Sequence, residues 1–500
     1  MTAGGSQPEP APTVESALLA RIATNTVVQA GGAILGSLIS FATFVAITRG
    51  LGVDAFGDLT AAAVYLFIVT VLADVGFSGA VLREISASPA RVEHAMRASV
   101  PLRALVSAAA VALSCIVAFV APFNERITTA ILIGAIGAFF ALMTYAVLPV
   151  LQLELRMQWA VFANLVGRLA TLGLTLWALA LGLGFNAVVA ASSIGLALTF
   201  LVDLVVVARH VSLRPLVDLP YWRSLSRGSV ELGLSGAIGQ IYFRVDALLV
   251  AFLRAPREVG LYGAAYKFIE LAETSAAFLP SSVFPALTQY VAERDERVRP
   301  LVQRGFDLLL ATAAPLTVLM IAFPTQIISL TAGDEFVDAA PALQILAPYL
   351  LFSFVGQILW RMLVASHRDR ALLLIAATIL ALNVALNLAL IPAYGYKAAA
   401  VTSVASQVVA TTITAVVVKR TLGFLPDLRY AAVIGPGVGA MAAIIAWVPV
   451  PTLVVALGAL TAYVAVVAAA PGAVRATLVD VVSHHSRRGS QPLGEPGQTS

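Results

Sequence analysis

Apolar positions in this chain run on for about 20 residues at a time, broken by short polar stretches, along nearly the whole length. A helix rising about 1.5 Å per residue needs about 20 residues to cross a hydrocarbon core of about 30 Å. β-barrel strands would be about 10 residues long and strictly alternating, and no such pattern occurs here. The pattern predicts about fourteen transmembrane helices, centred near residues 36, 67, 110, 138, 171, 197, 242, 273, 313, 354, 382, 408, 439 and 461. The connections between them are short. The expected class is an all-α polytopic membrane protein.

Composition agrees. The 500 residues are 60% hydrophobic and 12% charged, where soluble domains have about 25% charged residues. One cysteine excludes a disulfide framework within the chain. The N-terminus, residues 1–20, opens polar and rich in Pro and Gly, without the basic n-region of a signal peptide. It is expected to be a disordered cytoplasmic tail before an uncleaved first span. Residues 472–500 are likewise expected to be a disordered cytoplasmic tail, with His484 and His485 solvated rather than a metal site.

Charge placement sets the expected orientation. With the N-terminus inside, about 22 of the 31 Lys and Arg fall at cytoplasmic ends and loops, including Arg83, Arg91, Arg97 and Arg103. About 5 fall outside, and Arg168, Arg244, Lys267 and Arg361 remain within spans. Both termini are therefore expected in the cytoplasm. The basic stretch 209–228 divides residues 21–208 from residues 229–420, six spans each, and residues 421–471 hold two more. Residues 50–82 and 253–285 look like copies: a shift of about 203 places Gly57 on Gly260, Ala62 on Ala265 and Ser78 on Ser281. Repeats of equal orientation are typical of rocking-bundle transporters.

At these residues the chain resembles a known family. "RGLGVDAFGDLTAAAVYLFIVTVLADVGFSGAVLREI", "IYFRVDALLVAFLRAPREVGLYGAAYKFIE" followed by "SSVFPAL", "TAGDEFVDAAPALQILAP" and "ALNVALNLALIPAYGYKAAAVTSVASQ" are similar to segments of the polysaccharide-exporter, Wzx-like flippases. These belong to the multidrug/oligosaccharidyl-lipid/polysaccharide exporter superfamily. The resemblance covers roughly residues 20–420. It implies two six-helix lobes around a central cavity, plus two C-terminal helices. It also implies transport of a polyprenyl-pyrophosphate-linked oligosaccharide from the inner to the outer leaflet of the plasma membrane, with no enzymatic step and no cofactor. The implied partners are membrane lipids, the lipid-linked glycan, and polysaccharide polymerase or glycosyltransferases; no nucleic acid is implied.

Charges inside spans cost about 2.5–3.5 kcal/mol on insertion scales, so they face a cavity or a partner. Arg244 and Asp246 are two apart and point to different helix faces. Asp246 with Lys267, and Lys267 with Glu270 at i,i+3, are the better pairs, which would leave Arg244 as a cation facing the cavity. Arg244 and Lys267 then bind phosphate or an acidic sugar, or else belong to a structural network. Asp246 and Glu270 are structural or carry a coupling proton. Arg168 pairs with Asp203 or forms a second cationic wall, and Asp74 pairs with Arg83 or caps a gate. Glu231 is expected to favour a helix N-terminus. Asn25, Gln29, Asn164 and Gln240 are cavity candidates, as are Asn383, Asn387 and Gln407; amides serve sugar hydroxyls or hold helices together. Pro280, Pro285 and Pro315 mark expected kinks.

Other functions remain open on the residues alone. A cation-coupled drug or metabolite antiporter of the same superfamily would favour an acidic cavity, and a lipid II-type flippase would share the pyrophosphate. A membrane glycosyltransferase, ligase or polymerase would need a larger outer loop, and the longest, about residues 325–340, has no His or Arg. No Walker motif is present for direct use of ATP.

Overall fold

Long apolar runs with no water to satisfy their backbone must bond internally, so the chain is helical. The computed structural model describes residues 14–276, 278–293, 295–447 and 452–469. Most of residues 1–20, and all of residues 472–500, lie outside them, as do the side chains of Glu231, Pro280 and Pro285. No strand occurs among the described residues.

The first lobe holds α1 (Val14–Asp74), α2 (Phe77–Ala87), α3 (Val92–Val120), α4 (Glu125–Leu153), α5 (Met157–Ala180) and α6 (Phe185–Ala208). The second holds α7 (Leu219–Tyr242), α8 (Val245–Leu253), α9 (Pro256–Ala276), α10 (Phe278–Ala292), α11 (Val298–Ala322), α12 (Pro324–Ala332), α13 (Ala340–Leu346), α14 (Tyr349–Ala365), α15 (Asp369–Tyr394) and α16 (Tyr396–Leu422). Then come α17 (Ala431–Trp447) and α18 (Thr452–Ala469). The first run, 61 residues long, is interrupted at Gly52 (φ 77°, ψ 175°). Sixty residues of helix would reach about 90 Å, three core thicknesses, so Gly52 separates two spans.

Counting the run Val28–Ala87 once, nine helices among the described residues are long and apolar enough to cross a membrane, or up to eleven if each of two bent pairs is one span. The protein is a multi-pass membrane protein. Each expected segment centre falls in a helix, but fewer than fourteen helices meet that standard. The α9 segment shows why: it carries Arg257, Glu258, Lys267, Glu270 and Glu273 within one helix.

One end of the bundle carries the arginine-rich loops and is called here the basic end; the opposite one is the far end. Near the far end the lobes meet through bare backbone. A methyl on Gly57 would strike the Pro256 carbonyl, and one on Gly260 would strike the Val53 carbonyl. Val53 and Pro256 are related by the same shift of 203 residues that relates Gly57 to Gly260. Each copy therefore makes the other's contact, as isologous surfaces do. Phe44 and Phe56 of the first lobe pack edge-on against Phe268 and Phe336 of the second, at 6.4 and 5.7 Å between ring centroids. The guanidinium of Arg49 donates to the carbonyls of Leu330 and Thr331 at 2.5 and 3.2 Å, closing the C-terminal end of α12. Toward the basic end the lobes approach again where Gly76 abuts Ser229 and Gly233.

Prolines inside helices leave the carbonyl four residues earlier without its usual donor, and three such carbonyls are used for docking. Pro101 frees Arg97, whose carbonyl accepts from the Leu216 amide at 2.9 Å. Pro149 frees Tyr145, which accepts from Ser78 Oγ at 2.9 Å. Pro315 frees Ala311, which accepts from the Tyr463 hydroxyl at 2.7 Å. Pro315, expected as a kink, is thus where α18 attaches. The start of α7 is also held to α3, with Trp222 Nε1 donating to the Ala98 carbonyl at 2.8 Å, and Asp218, just before α7, lies 3.2 Å from His94. The Tyr221 hydroxyl donates to Glu84 at 2.9 Å. Burial, then the charge of Glu84, push that hydroxyl's pKa up, so it stays a donor.

Candidate functional site

Span seven is broken where its charges stand. α7 ends at Tyr242, Arg244 (φ −130°, ψ −10°) is the residue before α8, and the two helices meet at 46°. A helix start has orphan N–H groups and a partial positive charge. Asp246, in the first turn of α8, accepts from the Ala247 amide at 2.7 Å. It also accepts from the Tyr262 hydroxyl at 2.5 Å and from Ser403 Oγ at 2.7 Å. With three donors and 3% exposure, Asp246 is buried and held within its own lobe. The expected Asp246–Lys267 pair does not form: Tyr262 and Ser403 hold Asp246, and Lys267 bonds to Glu270 instead.

Where Lys267 faces is the cavity between the lobes, about 370 Å³. The first lobe lines it with Ser40, Thr43, Phe44, Phe56 and Phe67 among others, the second with Arg244, Asp246, Tyr266, Lys267 and Glu270. Glu270 holds both cations. Arg244 Nη2 donates to Oε1 at 2.8 Å and Lys267 Nζ to Oε2 at 3.1 Å. Arg244 is therefore not unpaired, as the spacing suggested. It remains accessible, its side chain 29% exposed, with its guanidinium carbon 5.7 Å from the Phe67 ring centroid in the opposite lobe.

Arg168 does not pair with Asp203. It projects from α5 onto α1, donating to Asn164 Oδ1 at 2.7 Å, to the Gly36 carbonyl at 2.9 Å and to Ser40 Oγ. Ser40 lines the cavity, and Glu270 is within electrostatic reach of Arg168. Asp203 is buried in α6, and its Oδ1 has no hydrogen-bond partner among the described residues. Asp74 pairs with Arg103, not Arg83: Arg103 Nη2 lies 2.8 Å from Asp74 Oδ1. Arg103, expected at a loop, is fully buried eleven residues into α3. It also donates to the Leu142 and Ala73 carbonyls at 3.0 and 3.1 Å.

The amides divide by role. Asn25 donates to the Leu155 carbonyl at 2.5 Å, pinning α1 to the turn before α5. Gln29 is exposed, and neither lines the central cavity. Gln240 reaches from the second lobe to line a further cavity of about 510 Å³, otherwise walled by the first lobe with Asp74, Tyr145 and Ser192. Asn387 donates to Asn383 at 2.9 Å within α15, while Asn383 donates to Ser406 Oγ of α16 at 3.4 Å and Gln407 accepts from the Tyr242 hydroxyl at 3.3 Å, both joining second-lobe helices. Sequence reasoning missed Tyr262 and Ser403 around Asp246, and Glu273, whose Oε2 accepts from Gln357 at 3.0 Å. Glu273 had a signal: it lies three residues beyond Glu270, about one turn along α9.

The family profile described as polysaccharide biosynthesis protein matches residues 22–291. The chain belongs to the polysaccharide biosynthesis protein family. A second profile, MatE, matches residues 232–389. A probable low-salt glycan biosynthesis flippase, Agl15 of Haloferax volcanii, is 23% identical over 384 residues, 75% of this chain and 78% of its own length. Among solved structures, an inward closed conformation of the lipid II flippase MurJ is similar with a TM-score of 0.75 at 15% identity, over 93% of this chain and 100% of that one. An inward-facing multidrug resistance transporter of the MATE family matches with a TM-score of 0.64 at 15% identity, over 80% and 98%. This polysaccharide biosynthesis family member therefore has the fold of the multidrug/oligosaccharidyl-lipid/polysaccharide exporter superfamily: two lobes facing one cavity, with a further helix pair behind them.

Proposed function

We propose that the protein carries a polyprenyl-pyrophosphate-linked oligosaccharide, a precursor of cell-surface polysaccharide, from the inner to the outer leaflet of the plasma membrane by alternating access of its two lobes. The observation that carries this reading is the charge of the central cavity. Arg244 and Lys267 line it and Arg168 stands at its edge, three cations against two carboxylates, Glu270 and Asp246, the second of them held by donors of its own lobe. An anionic pyrophosphate has no water to stabilise it midway across, and guanidinium groups supply charge in a planar, bidentate form. Phe67 and Phe243 give the same cavity apolar faces. That excess of one cation favours an anionic cargo over a cationic drug. The family membership and the flippase relative support the same reading. Transport needs no chemical step on the cargo.

The test is surface polysaccharide in a strain that depends on this gene, with membrane protein quantified in parallel. Arg244→Ala should abolish surface polysaccharide at wild-type protein level. Normal polysaccharide would sink the cargo role of Arg244. The basic end is placed in the cytoplasm with both termini. A reporter fused after residue 226 should therefore read cytoplasmic and one at residue 335 external; the reverse would overturn the orientation.

A further inference from the structure

A second feature lies on the outer surface of the first lobe, away from the cavity. α5 and α6 cross where Gly167 faces Gly195, so closely that a methyl on either would meet the other's carbonyl oxygen. Toward the basic end a groove of about 420 Å³ lies between them. Its walls are Trp159, Leu201 and Val205, all exposed. Its head is Arg156, Arg209 and His210. None of these residues lines the central cavity.

The head is organised. His210 Nδ1 lies 2.8 Å from the Val206 carbonyl, and its Nε2 abuts Arg156 Nη1. The carbonyl accepts a hydrogen bond from Nδ1–H, which leaves Nε2 to accept from the guanidinium. His210 therefore aims Arg156 at the mouth of the groove. One carboxylate is close: Glu154, 3.4 Å from Arg156 Nε. Arg209 adds a second cation, so the head stays net positive. Trp159, packed edge-on against the exposed Phe162, is the residue type enriched at headgroup depth. An apolar groove in a membrane-facing surface is filled by lipid, and basic pockets between helices at this end of a membrane protein select anionic headgroups.

We propose that this groove binds one anionic phospholipid, its phosphate on Arg156 and Arg209 and one acyl chain along Trp159, Leu201 and Val205. The site is independent of the cargo reading and would hold the first lobe to the charged face of one leaflet while the second moves.

The test is native mass spectrometry of the full-length protein in mild detergent, titrated with phosphatidylglycerol or phosphatidylcholine. Wild-type protein should retain phosphatidylglycerol preferentially. The double variant Arg156→Gln/Arg209→Gln should weaken it roughly thirtyfold, about fivefold for each basic residue, and leave phosphatidylcholine unchanged. Arg156→Lys/Arg209→Lys should keep most of the preference, and Leu201→Trp, which fills the groove, should weaken both lipids. His210→Phe keeps both arginines and should lower the preference partially, the mark of a positioning residue. Equal retention of the two lipids by wild-type protein would overturn the proposal, as would unchanged phosphatidylglycerol binding in the glutamine variant. Displacement of the lipid by glycerol phosphate alone would also overturn it, as that marks a site for free anions. Should the glutamine variant not fold, the lysine and tryptophan variants decide by the same readouts.

Discussion

Arg103 and Arg244 have the same three companions. Each lies by a break in a span, Arg103 by the one between α1 and α2 and Arg244 by the one between α7 and α8. Each meets a carboxylate at 2.8 Å, and each stands over a phenylalanine ring, at 5.0 Å from Phe77 and 5.7 Å from Phe67. They differ in what else they touch. Arg103 is fully buried and donates to two backbone carbonyls of its own lobe. Arg244 is partly exposed to a cavity, and its ring belongs to the other lobe. A charge within a span is therefore no mark of a site by itself. What matters is whether the group is open to something that arrives.

The largest effect should separate the two by truncation. Arg103→Ala leaves Asp74 half-buried without its cation and removes a donor from each of two carbonyls; removing one partner of a buried pair costs about 3–5 kcal/mol. The expected outcome is loss of the protein from the membrane fraction, or a large fall in its thermal midpoint. Arg244→Ala should leave that midpoint near wild type. Equal loss for both would break the contrast. Lysine at each position sharpens it. Arg103→Lys keeps the charge but not the fork that reaches both carbonyls, and should destabilise by about 1–3 kcal/mol. Arg244→Lys should unfold at the wild-type temperature and retain part of the transport. The smallest effect concerns the rings. Phe77→Leu removes a desolvated cation–π interaction worth about 2 kcal/mol, whereas Phe67→Leu removes a more exposed one worth about 0.5–1 kcal/mol. The first should lower the thermal midpoint; the second should lower the transport rate modestly. A larger stability loss from Phe67→Leu would reverse the assignment.

The helices and their order were legible because one bilayer thickness imposes one length on every apolar run. So was the repeat, whose offset of 203 residues brings Gly57 and Gly260 face to face. Ion pairing was not legible beyond the nearest turn. The Lys267–Glu270 pair lies within one helix and depends only on spacing. Arg244–Glu270, Arg103–Asp74 and the isolation of Asp203 depend on how helices are rotated and where they break, and hydropathy does not encode either. Arg103 misled because "RVEHAMRASVPLR" is polar enough to read as a loop, although α3 begins at Val92. Arg168 misled for a related reason. It follows Gly167, the point of closest approach to α6, so its own side chain turns toward α1, away from Asp203.

The glycine seam near the far end has a consequence for turnover. When interlocked side chains part, each regains rotamers that it must lose again on closing, up to about 2 kcal/mol for the longest, while glycine has none to lose. At Gly57 and Gly260, bare chain rests on carbonyl oxygens, so the seam can separate and re-form without any side chain being thawed and refrozen. Neither the parted nor the joined arrangement is favoured there by rotameric entropy. For a carrier that must visit both arrangements once per cargo, that balance keeps either one from becoming a trap.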